Sequence, residues 1–318
     1  MKKIPLLVGL AATFQAYAAD VTPYIVNGTD ISATKYPSFV SLFYDRLNYD
    51  GVYSTSPYCG ATLLDSSHVL TAAHCVYGSE EAQLFTSVVP QLQYETDFPY
   101  SVIARVMVSE YYYPDDYNDD TLANDIAILK LSSPITAVSD YVQLAVNADE
   151  VSYRVTPSVD FYAVGHGNTQ QNIDWANSLQ ETQLSFIENS DCQVYSNADT
   201  SNNLCMTGAA TSLGLDNATC QGDSGGPLYW NNKQVGITSF GPTTCGDTSI
   251  EPNSVFTEVT HHSSWIQSVL DGNELPKATA TDAKRNSFLN PSSSGGGSLG
   301  FLSFLFIGAT LFRRKLTS

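Results

Sequence analysis

The chain has 318 residues and a formal net charge of −18 at pH 7, from 32 acidic and 14 basic residues. That length is enough to bury a full hydrophobic core, and so negative a chain repels phosphates, which argues against nucleic-acid binding. Short runs rich in Val, Ile, Tyr, Phe and Thr are broken by Gly, Pro, Asn and Asp. This pattern favours an all-β fold, either a sandwich or a barrel.

The amino-terminal segment has the three parts of a secretory signal peptide. Two lysines and an apolar run over 4–14 precede Ala16-Tyr17-Ala18, which is a small-x-small cleavage site. The run is too short to span a membrane, so we expect residues 1–18 to be removed during export. Cleavage there leaves a short segment, 19–24, in front of a body of even composition over 25–270.

Six cysteines, an even number, occur without a CxxC pair or a Cys/His cluster. In an exported protein this indicates disulfides and no metal site. The spacing by itself leaves fifteen pairings open. The cysteines are Cys59, Cys75, Cys192, Cys205, Cys220 and Cys245.

Three short motifs contain the residue types that nucleophilic catalysis requires. In chain order they are LTAAHC with His74, NDIAILKL with Asp125, and CQGDSGGPL with Ser224. A serine hydroxyl is a poor nucleophile at neutral pH and needs a base, and the base needs a group that fixes its tautomer. Taken singly, the three residues have ordinary explanations as a turn serine, a structural histidine and a capping aspartate. Their combination favours a catalytic set.

The body ends in HHSSWIQSVL, over 261–270, whose apolar spacing predicts a short helix. The polar stretch over 271–294 then predicts an extended linker. The last segment, 295–318, joins a Gly/Ser patch to an apolar run over 299–312 and a basic end. The apolar run falls short of the about 20 residues of a comfortable spanning helix, and the basic end is typical of a cytoplasmic flank.

This carboxyl-terminal pattern resembles the glycine-rich sorting tails of exported proteins of Gram-negative bacteria. The resemblance implies that the tail is a transient membrane anchor. It also implies a rhomboid-like processing protease as a partner, which removes the apolar helix near the glycines. We therefore expect the protein at the cell surface or in the medium.

The three motifs, in this order and at separations of 51 and 99 residues, resemble those of the chymotrypsin/trypsin-like serine peptidases. The resemblance covers 25–270 and implies two six-stranded antiparallel β-barrels, a short carboxyl-terminal helix and an active site between the barrels. It implies a monomeric serine endopeptidase that acts on protein or peptide substrates without a cofactor, with protein inhibitors as further candidate partners. Ser224 would be the nucleophile, His74 the general base and then acid, and Asp125 the orienting carboxylate.

The resemblance assigns further residues around this set. The amides of Gly222 and Ser224 would form the oxyanion hole. Ser239 would support Asp125 and pair with substrate through its backbone. The segment VGHGNT matches a glycine-flanked loop near the oxyanion hole, with His166 where a tryptophan is usual, and we interpret His166 as structural.

The resemblance also implies activation by proteolysis. The new amino terminus, Ile25 of IVNG, would fold inward, and its ammonium would pair with Asp223. Residues 19–24 would then be an activation propeptide, removed by cleavage of the Tyr24–Ile25 bond. The uncut chain would be nearly inactive, because a buried ion pair is costly unless both partners are present.

The primary specificity pocket maps to Ala218 at its base with Thr219 beside it, and to Gly241 and Ser254 at its walls. Trypsin-like members carry an aspartate at the base, and this chain has none, so we do not expect cleavage after Lys or Arg. A neutral pocket with an open mouth at Gly241 favours Tyr, Phe, Leu or Met. It would accept Tyr24, so one molecule could activate the next, or another secreted protease trims the propeptide.

The cysteine pairings implied by the family are Cys59 with Cys75, Cys192 with Cys205, and Cys220 with Cys245.

Two other classes of function fit part of the sequence. GDSGG also fits the G-x-S-x-G pattern of α/β-hydrolases, in which Asp247 and His261 or His262 would complete the set. That interpretation leaves LTAAHC and NDIAILKL unexplained, and no alternating strand–helix pattern precedes the serine. The alternative outside enzymes is a peptidase fold used as a binding module or adhesin, although such proteins usually lack one of the three catalytic residues.

Overall fold

The structure is a computed structural model that describes residues 25–155, 158–168, 177–210 and 214–291. The predicted signal peptide over 1–18, the segment over 19–24 and the predicted sorting tail over 295–318 lie outside the described residues.

The described residues form mainly short strands, as the sequence predicts for an all-β protein. In chain order the strands and α-helices are β1 (Thr29–Asp30), β2 (Phe39–Arg46), β3 (Val52–Tyr53), β4 (Cys59–Leu63), β5 (His68–Thr71), α1 (Glu80–Phe85), β6 (Thr86–Pro90), β7 (Val106–Tyr112), β8 (Ala127–Leu131), α2 (Glu150–Tyr153), β9 (Phe161–Gly165), β10 (Gln180–Ile187), β11 (Asn203–Gly208), β12 (Pro227–Trp230), β13 (Lys233–Phe240), β14 (Ser254–Glu258), α3 (Ser263–Leu270), β15 (Ala278–Thr279) and α4 (Asp282–Leu289).

The first barrel is a closed antiparallel sheet. Strands β7, β6, β2, β4, β5 and β8 pair in this order, and β7 pairs with β8 to close the barrel. Strand β8 illustrates why the sequence folds this way, because every residue of AILKL except Lys130 is buried. Burying such apolar runs is the dominant favourable contribution to folding.

The second barrel is closed in the same manner. Strands β9, β10, β11, β14, β13 and β12 pair in this order, and β12 pairs with β9. In β10 the buried residues alternate with more exposed ones, from Gln180 and Thr182 to Leu184 and Phe186. That period of two is the pattern of a strand with one face toward the core.

These two barrels confirm the predicted fold class. The predicted carboxyl-terminal helix is also present as α3, which begins after a 3-10 turn over Thr260–His262. Ile266 and Val269, three residues apart, form its buried face.

The segment after α3 differs from the extended linker that the sequence predicts over 271–294. Residues 277–290, here called the strap, fold onto the first barrel. Strand β15 pairs antiparallel with β7, Ala278 opposite Tyr111 and Thr279 opposite Glu110. Helix α4 follows, with the Thr281 side chain capping its amino terminus.

A buried arginine explains why a polar segment packs against a barrel. Arg285 is 3% exposed, and its guanidinium donates to the backbone carbonyls of Leu84 and Val108. Phe288 packs edge-on against Phe85, with ring centroids 5.9 Å apart. Because arginine is usually solvent-exposed, the polar composition of this segment does not predict that Arg285 is buried.

No helix among the described residues is long and apolar enough to cross a membrane.

Candidate active site

The pairing of β5 with β8 brings His74 and Asp125 together. Thr71 at the end of β5 lies opposite Ala127 at the start of β8, so the turn after β5 lies beside Asp125, two residues before β8. Nδ1 of His74 lies 2.7 Å from Oδ2 of Asp125, and the His74 backbone N–H donates to Oδ1 at 2.9 Å. The carboxylate therefore fixes both the backbone and the ring of the histidine.

Asp125 is also held by the second barrel. Its side chain is fully buried, and its Oδ2 accepts a hydrogen bond of 2.5 Å from the hydroxyl of Ser239 in β13. The hydroxyl of Thr257 in β14 donates to the Asp125 backbone carbonyl at 2.9 Å. Asp125 thus lies where the two barrels meet, and contacts from both sides keep its carboxylate oriented.

The environment of His74 favours a protonated ring relative to water. Burial lowers the pKa of His74, but the charge of Asp125, the hydrogen bond to it and the charge of Asp119 together raise it above its ordinary value. The pKa of His74 is therefore raised overall. His74 can therefore accept a proton and keep it stabilised beside a carboxylate.

Ser224 is tied to the histidine turn through a second connection. Its backbone carbonyl accepts a hydrogen bond of 2.8 Å from the amide of Gly60, and Cys59 is joined to Cys75, the residue after His74. Among the residues that the structure describes, no direct hydrogen bond between Ser224 Oγ and His74 Nε2 is recorded. Such bonds are often long without substrate and tighten when it binds.

Two glycines flanking this serine are required by the backbone. Gly222 and Gly225 have φ of +101° and +73°, which an L side chain rarely adopts. A Cβ on Gly225 would also overlap the Thr71 hydroxyl. In the described part of the chain the amides of Gly222 and Ser224 have no protein acceptor, so both can donate to a ligand.

Asp223 is a buried carboxylate beside the serine turn. It accepts hydrogen bonds of 2.8 Å from the amides of Gly167 and Cys220. Burial raises the pKa of Asp223 to about 7, although these two hydrogen bonds lower it. The carboxylate is thus in a place where a cation would stabilise its charge.

The segment that begins at Ile25 already lies inside the protein in the uncut chain. Ile25 is fully buried, and Val26 forms a β-bridge with Ala218. The φ of Ile25 is +39°, a left-handed conformation that is an outlier for a β-branched residue. The backbone is therefore strained immediately after the predicted cleavage bond.

The surroundings of His166 do not suit its ring to proton transfer. It is buried, its Nδ1 lies 3.5 Å from the Ser41 hydroxyl, and its ring packs against Phe39. Burial lowers the pKa of His166 to about 4. The ring is therefore neutral at neutral pH.

The predicted pocket residues lie together. Ala218, Thr219 and Ser254 are buried, and the Ser254 hydroxyl is 2.9 Å from the Thr219 amide and 3.0 Å from its Oγ1. A Cβ on Gly241 would lie 2.7 Å from the Asn253 carbonyl. Glycine is required at 241 because the Asn253 backbone approaches closely.

Three disulfides are present, and they are the pairings implied by the family resemblance. They join Cys59 to Cys75, Cys192 to Cys205, and Cys220 to Cys245.

Sequence reasoning missed four residues that shape the site. Gly60 holds the Ser224 carbonyl, Thr71 donates to the Gly60 carbonyl, Thr257 holds Asp125, and Asp119 acts on His74. Gly60 follows Cys59 in CGATL, and Thr71 lies in the LTAAHC motif. These positions next to predicted site residues could have indicated a role. Nothing in the sequence marks Thr257 or Asp119, whose roles depend on the tertiary fold.

One group of potential metal ligands lies apart from this site. Oxygen atoms of Glu150 and Glu258 and a ring nitrogen of His261 lie within 4.8 Å of one another. Glu258 is fully buried, accepts a hydrogen bond from the Tyr153 hydroxyl at 2.5 Å and is ion-paired with Arg154. This carboxylate already has its partners, and the guanidinium disfavours a second cation.

The chain is similar in sequence to several known proteins. The family model described as Trypsin matches residues 25–266. The chain is 32% identical over 258 residues to chymotrypsin-like elastase family member 1 of Homo sapiens, covering 78% of this chain and 93% of that protein. It is 27% identical to brachyurin of Leptuca pugilator, covering 76% and 97%, and 31% identical to trypsin of Saccharopolyspora erythraea, covering 68% and 86%.

Proposed function

The chain belongs to the trypsin family and is a serine endopeptidase; we propose that it is exported as a zymogen, activated at Tyr24–Ile25, and cleaves after large apolar or aromatic residues. His74, Asp125 and Ser224 would be its catalytic residues. The observation that carries this assignment is the geometry around Asp125, which holds the His74 ring at 2.7 Å and is itself held by Ser239.

The chemistry follows the mechanism of the family. His74 Nε2 takes the proton from Ser224 Oγ as the oxygen attacks the scissile carbonyl carbon. The amides of Gly222 and Ser224 donate to the oxyanion that develops. His74 then gives its proton to the leaving amine, and water hydrolyses the acyl-enzyme by the same steps. Asp125 stays ionised and stabilises the imidazolium.

The composition of the pocket supports cleavage after large apolar residues. Its base, Ala218, carries no charge, and Thr219 and Ser254 satisfy each other. None of the four side chains assigned to the pocket could pair with the charge of a buried lysine or arginine, and burying an unpaired charge is costly. A tyrosine, phenylalanine, leucine or methionine side chain carries no charge that would need one.

The surroundings of Ile25 and Asp223 support activation by cleavage. In the uncut chain Asp223 is buried, and two amides are its recorded donors. A cut before Ile25 would create an ammonium group, which can supply the missing positive charge and stabilise the serine turn around Asp223. The cut would also release the strained backbone at Ile25.

The residue before the cut supports activation by a second copy of the same protein. Tyr24 is an aromatic residue of the kind that the neutral pocket would accept. Another secreted protease that cuts after tyrosine is the competing activator.

Export and tail processing remain proposals from the terminal sequences. The signal-like residues 1–18 support secretion. The glycine patch, apolar run and basic end over 295–318 support transient anchoring and removal by a rhomboid-like protease. We propose a monomer that acts at the cell surface or in the medium.

The test compares the purified wild type with Ser224→Ala by amino-terminal sequencing and by cleavage of a peptide library. We expect the wild type to begin at Ile25 and to cut after Tyr, Phe, Leu or Met, while Ser224→Ala stays uncut and inactive. If Ser224→Ala also begins at Ile25, another protease is the activator. Cleavage after Lys or Arg would show that the pocket assignment is wrong.

A further inference from the structure

We propose that Arg285 of the strap is a positioning residue for the catalytic pair, because it ties the segment that follows His74 to the strand that precedes Asp125. The inference rests on the proposed function, since it takes His74 and Asp125 as the groups that move the proton. The strap lies beyond residues 25–266, which the family model matches, so membership of the family assigns it no role.

The first connection runs from the strap to the turn that carries His74. Helix α1 follows this turn, and its Gln83 side chain donates from Nε2 to the carbonyl of Val76 at 2.8 Å. The next residue of α1, Leu84, accepts a hydrogen bond of 2.6 Å from Arg285 Nε. A short path through α1 therefore leads from the buried guanidinium to the backbone just after His74.

Helix α1 depends on outside donors because it is short. It has six residues, and the last four carbonyls of an α-helix have no partner within the helix. The Thr86 hydroxyl donates to the Ala82 carbonyl at 2.6 Å, and Arg285 donates to that of Leu84. Leu84 is buried, so loss of the guanidinium would leave a buried carbonyl without its donor and favour a shift of the end of α1.

The second connection runs from the strap to the strand before Asp125. Strand β7 has one extra residue, Ser109, relative to its partner β8, which is a β-bulge. Arg285 Nη2 donates to the Val108 carbonyl at 2.7 Å, and the Ala280 amide donates to the Ser109 carbonyl at 2.8 Å. Strand β8 begins two residues after Asp125. The strap thus supplies donors at the bulge that sets the register of the strand pair leading to Asp125.

The relative position of His74 and Asp125 depends on both connections. His74 Nδ1 lies 2.7 Å from Asp125 Oδ2, and a misplacement of about 1 Å, even when caused far from the chemistry, can lower a rate by about 100-fold. Ser239 holds Asp125, and the disulfide at Cys75 holds the turn of His74, each separately. Arg285 contacts both segments with one side chain.

The specificity pocket has no comparable link to the strap. Among the described residues, the hydrogen bonds, ion pairs and ring contacts of the strap go to the first barrel, to α1 or within the strap itself. The pocket residues assigned above lie on the second barrel. Loss of Arg285 should therefore lower kcat and leave KM nearly unchanged, which is the effect of losing an interaction needed for turnover and not for binding.

The experiment compares activated wild type, Arg285→Ala and Leu184→Ala on one peptide with a cleavable tyrosine. Leu184→Ala is the matched control, because Leu184 is buried in β10 of the second barrel and its truncation costs stability without touching α1 or β7. We expect Arg285→Ala to lower kcat by about tenfold and to change KM by less than about twofold. Leu184→Ala should keep the wild-type kcat, with each rate divided by the folded fraction from circular dichroism.

Two further measurements separate positioning from stability. Gln83→Met breaks the connection next to the His74 turn while the strap stays in place, and it should also lower kcat. In uncut Ser224→Ala, proton NMR follows the His74 Nδ1 proton that lies against Asp125. Adding Arg285→Ala should make this proton exchange faster with water, whereas adding Leu184→Ala should not.

Each outcome bears on one of the two proposals. An unchanged kcat per folded molecule in Arg285→Ala, or an equal loss in Leu184→Ala, overturns the positioning role, while cleavage after tyrosine still supports the proposed function. If Arg285→Ala does not fold, Gln83→Met decides, and an unchanged kcat there overturns the positioning role. Failure of the wild type to cut after tyrosine overturns the proposed function instead.

Discussion

Arg285 and Leu84 are 201 positions apart, yet the Arg285 guanidinium donates from Nε to the Leu84 carbonyl at 2.6 Å. A second donor, Nη2, reaches the Val108 carbonyl at 2.7 Å, and Nη1 reaches Asp282 at 3.0 Å. One side chain of the strap thus satisfies the last turn of α1 and a carbonyl of β7. Strand β7 belongs to the barrel that carries His74 and Asp125, and α1 packs against that strand.

Replacing this arginine should destabilise the protein. In a Ser224→Ala background, which prevents self-digestion, Arg285→Ala should lower the free energy of unfolding by about 3 kcal/mol, because two buried carbonyls lose their donor. Urea denaturation measures this. Lys284→Ala, one residue earlier and exposed, is the matched control and should change stability by less than about 1 kcal/mol. Equal effects of the two substitutions would contradict a special role of Arg285.

Asp125→Asn should nearly abolish catalysis without unfolding the protein. An amide cannot hold the His74 tautomer or stabilise the imidazolium, and loss of the equivalent carboxylate lowers kcat by roughly 10⁴-fold in this family. Peptide hydrolysis by the activated variant measures the loss. A variant that stays folded and keeps more than about a tenth of wild-type kcat would contradict the assignment.

The acid limb of the pH profile should report His74. The general base must be neutral, so kcat/KM should fall as the pH drops through the pKa of His74, which lies above the ordinary 6.5. The acidic groups that act on this ring are Asp125 and Asp119. Asp119→Asn removes one of them and should move the acid limb to lower pH, whereas Asp140→Asn should not move it.

The uncut chain should lose stability as the pH rises. The pKa of Asp223 is about 7 against an ordinary 3.8, so the folded uncut chain binds this proton more tightly than the unfolded chain does. Stability from this group is therefore present below about pH 4 and is lost as the pH rises through about 7. Urea denaturation of uncut Ser224→Ala, with and without Asp223→Asn, measures it. Identical pH dependence in both proteins would contradict the prediction.

Local patterns in the sequence predicted an all-β fold, and the family resemblance implied the two barrels. The alternation in β10 and the apolar run of β8 are visible in the chain, and the motifs around His74, Asp125 and Ser224 carry the resemblance that implies two barrels. The structure places His74 against Asp125 and ties Ser224 to their barrel through Gly60. The roles of these residues remain proposals that the experiments above test.

The strap and the Asp119 turn could not be predicted in the same way. Arg285 is buried through hydrogen bonds to carbonyls far away in the sequence, and composition alone makes its segment look like a linker. Asp119 matters because its charge acts on His74 in the folded chain, and the two residues are 45 positions apart in the sequence. Gly241 shows a third limit, since the close approach of the Asn253 carbonyl that requires a glycine there depends on the tertiary fold.

The end of the strap separates carboxyl-terminal residues that contact the first barrel from residues beyond Asn290 that are not part of these contacts. A cut beyond Asn290 would remove none of the contacts that Arg285, Phe288 and β15 make. A cut before Lys277 would strip the first barrel of an added strand and of the donor to Leu84 and Val108. If a protease removes the proposed anchor, a cut that keeps the first barrel intact must lie about 20 residues or more beyond the end of α3.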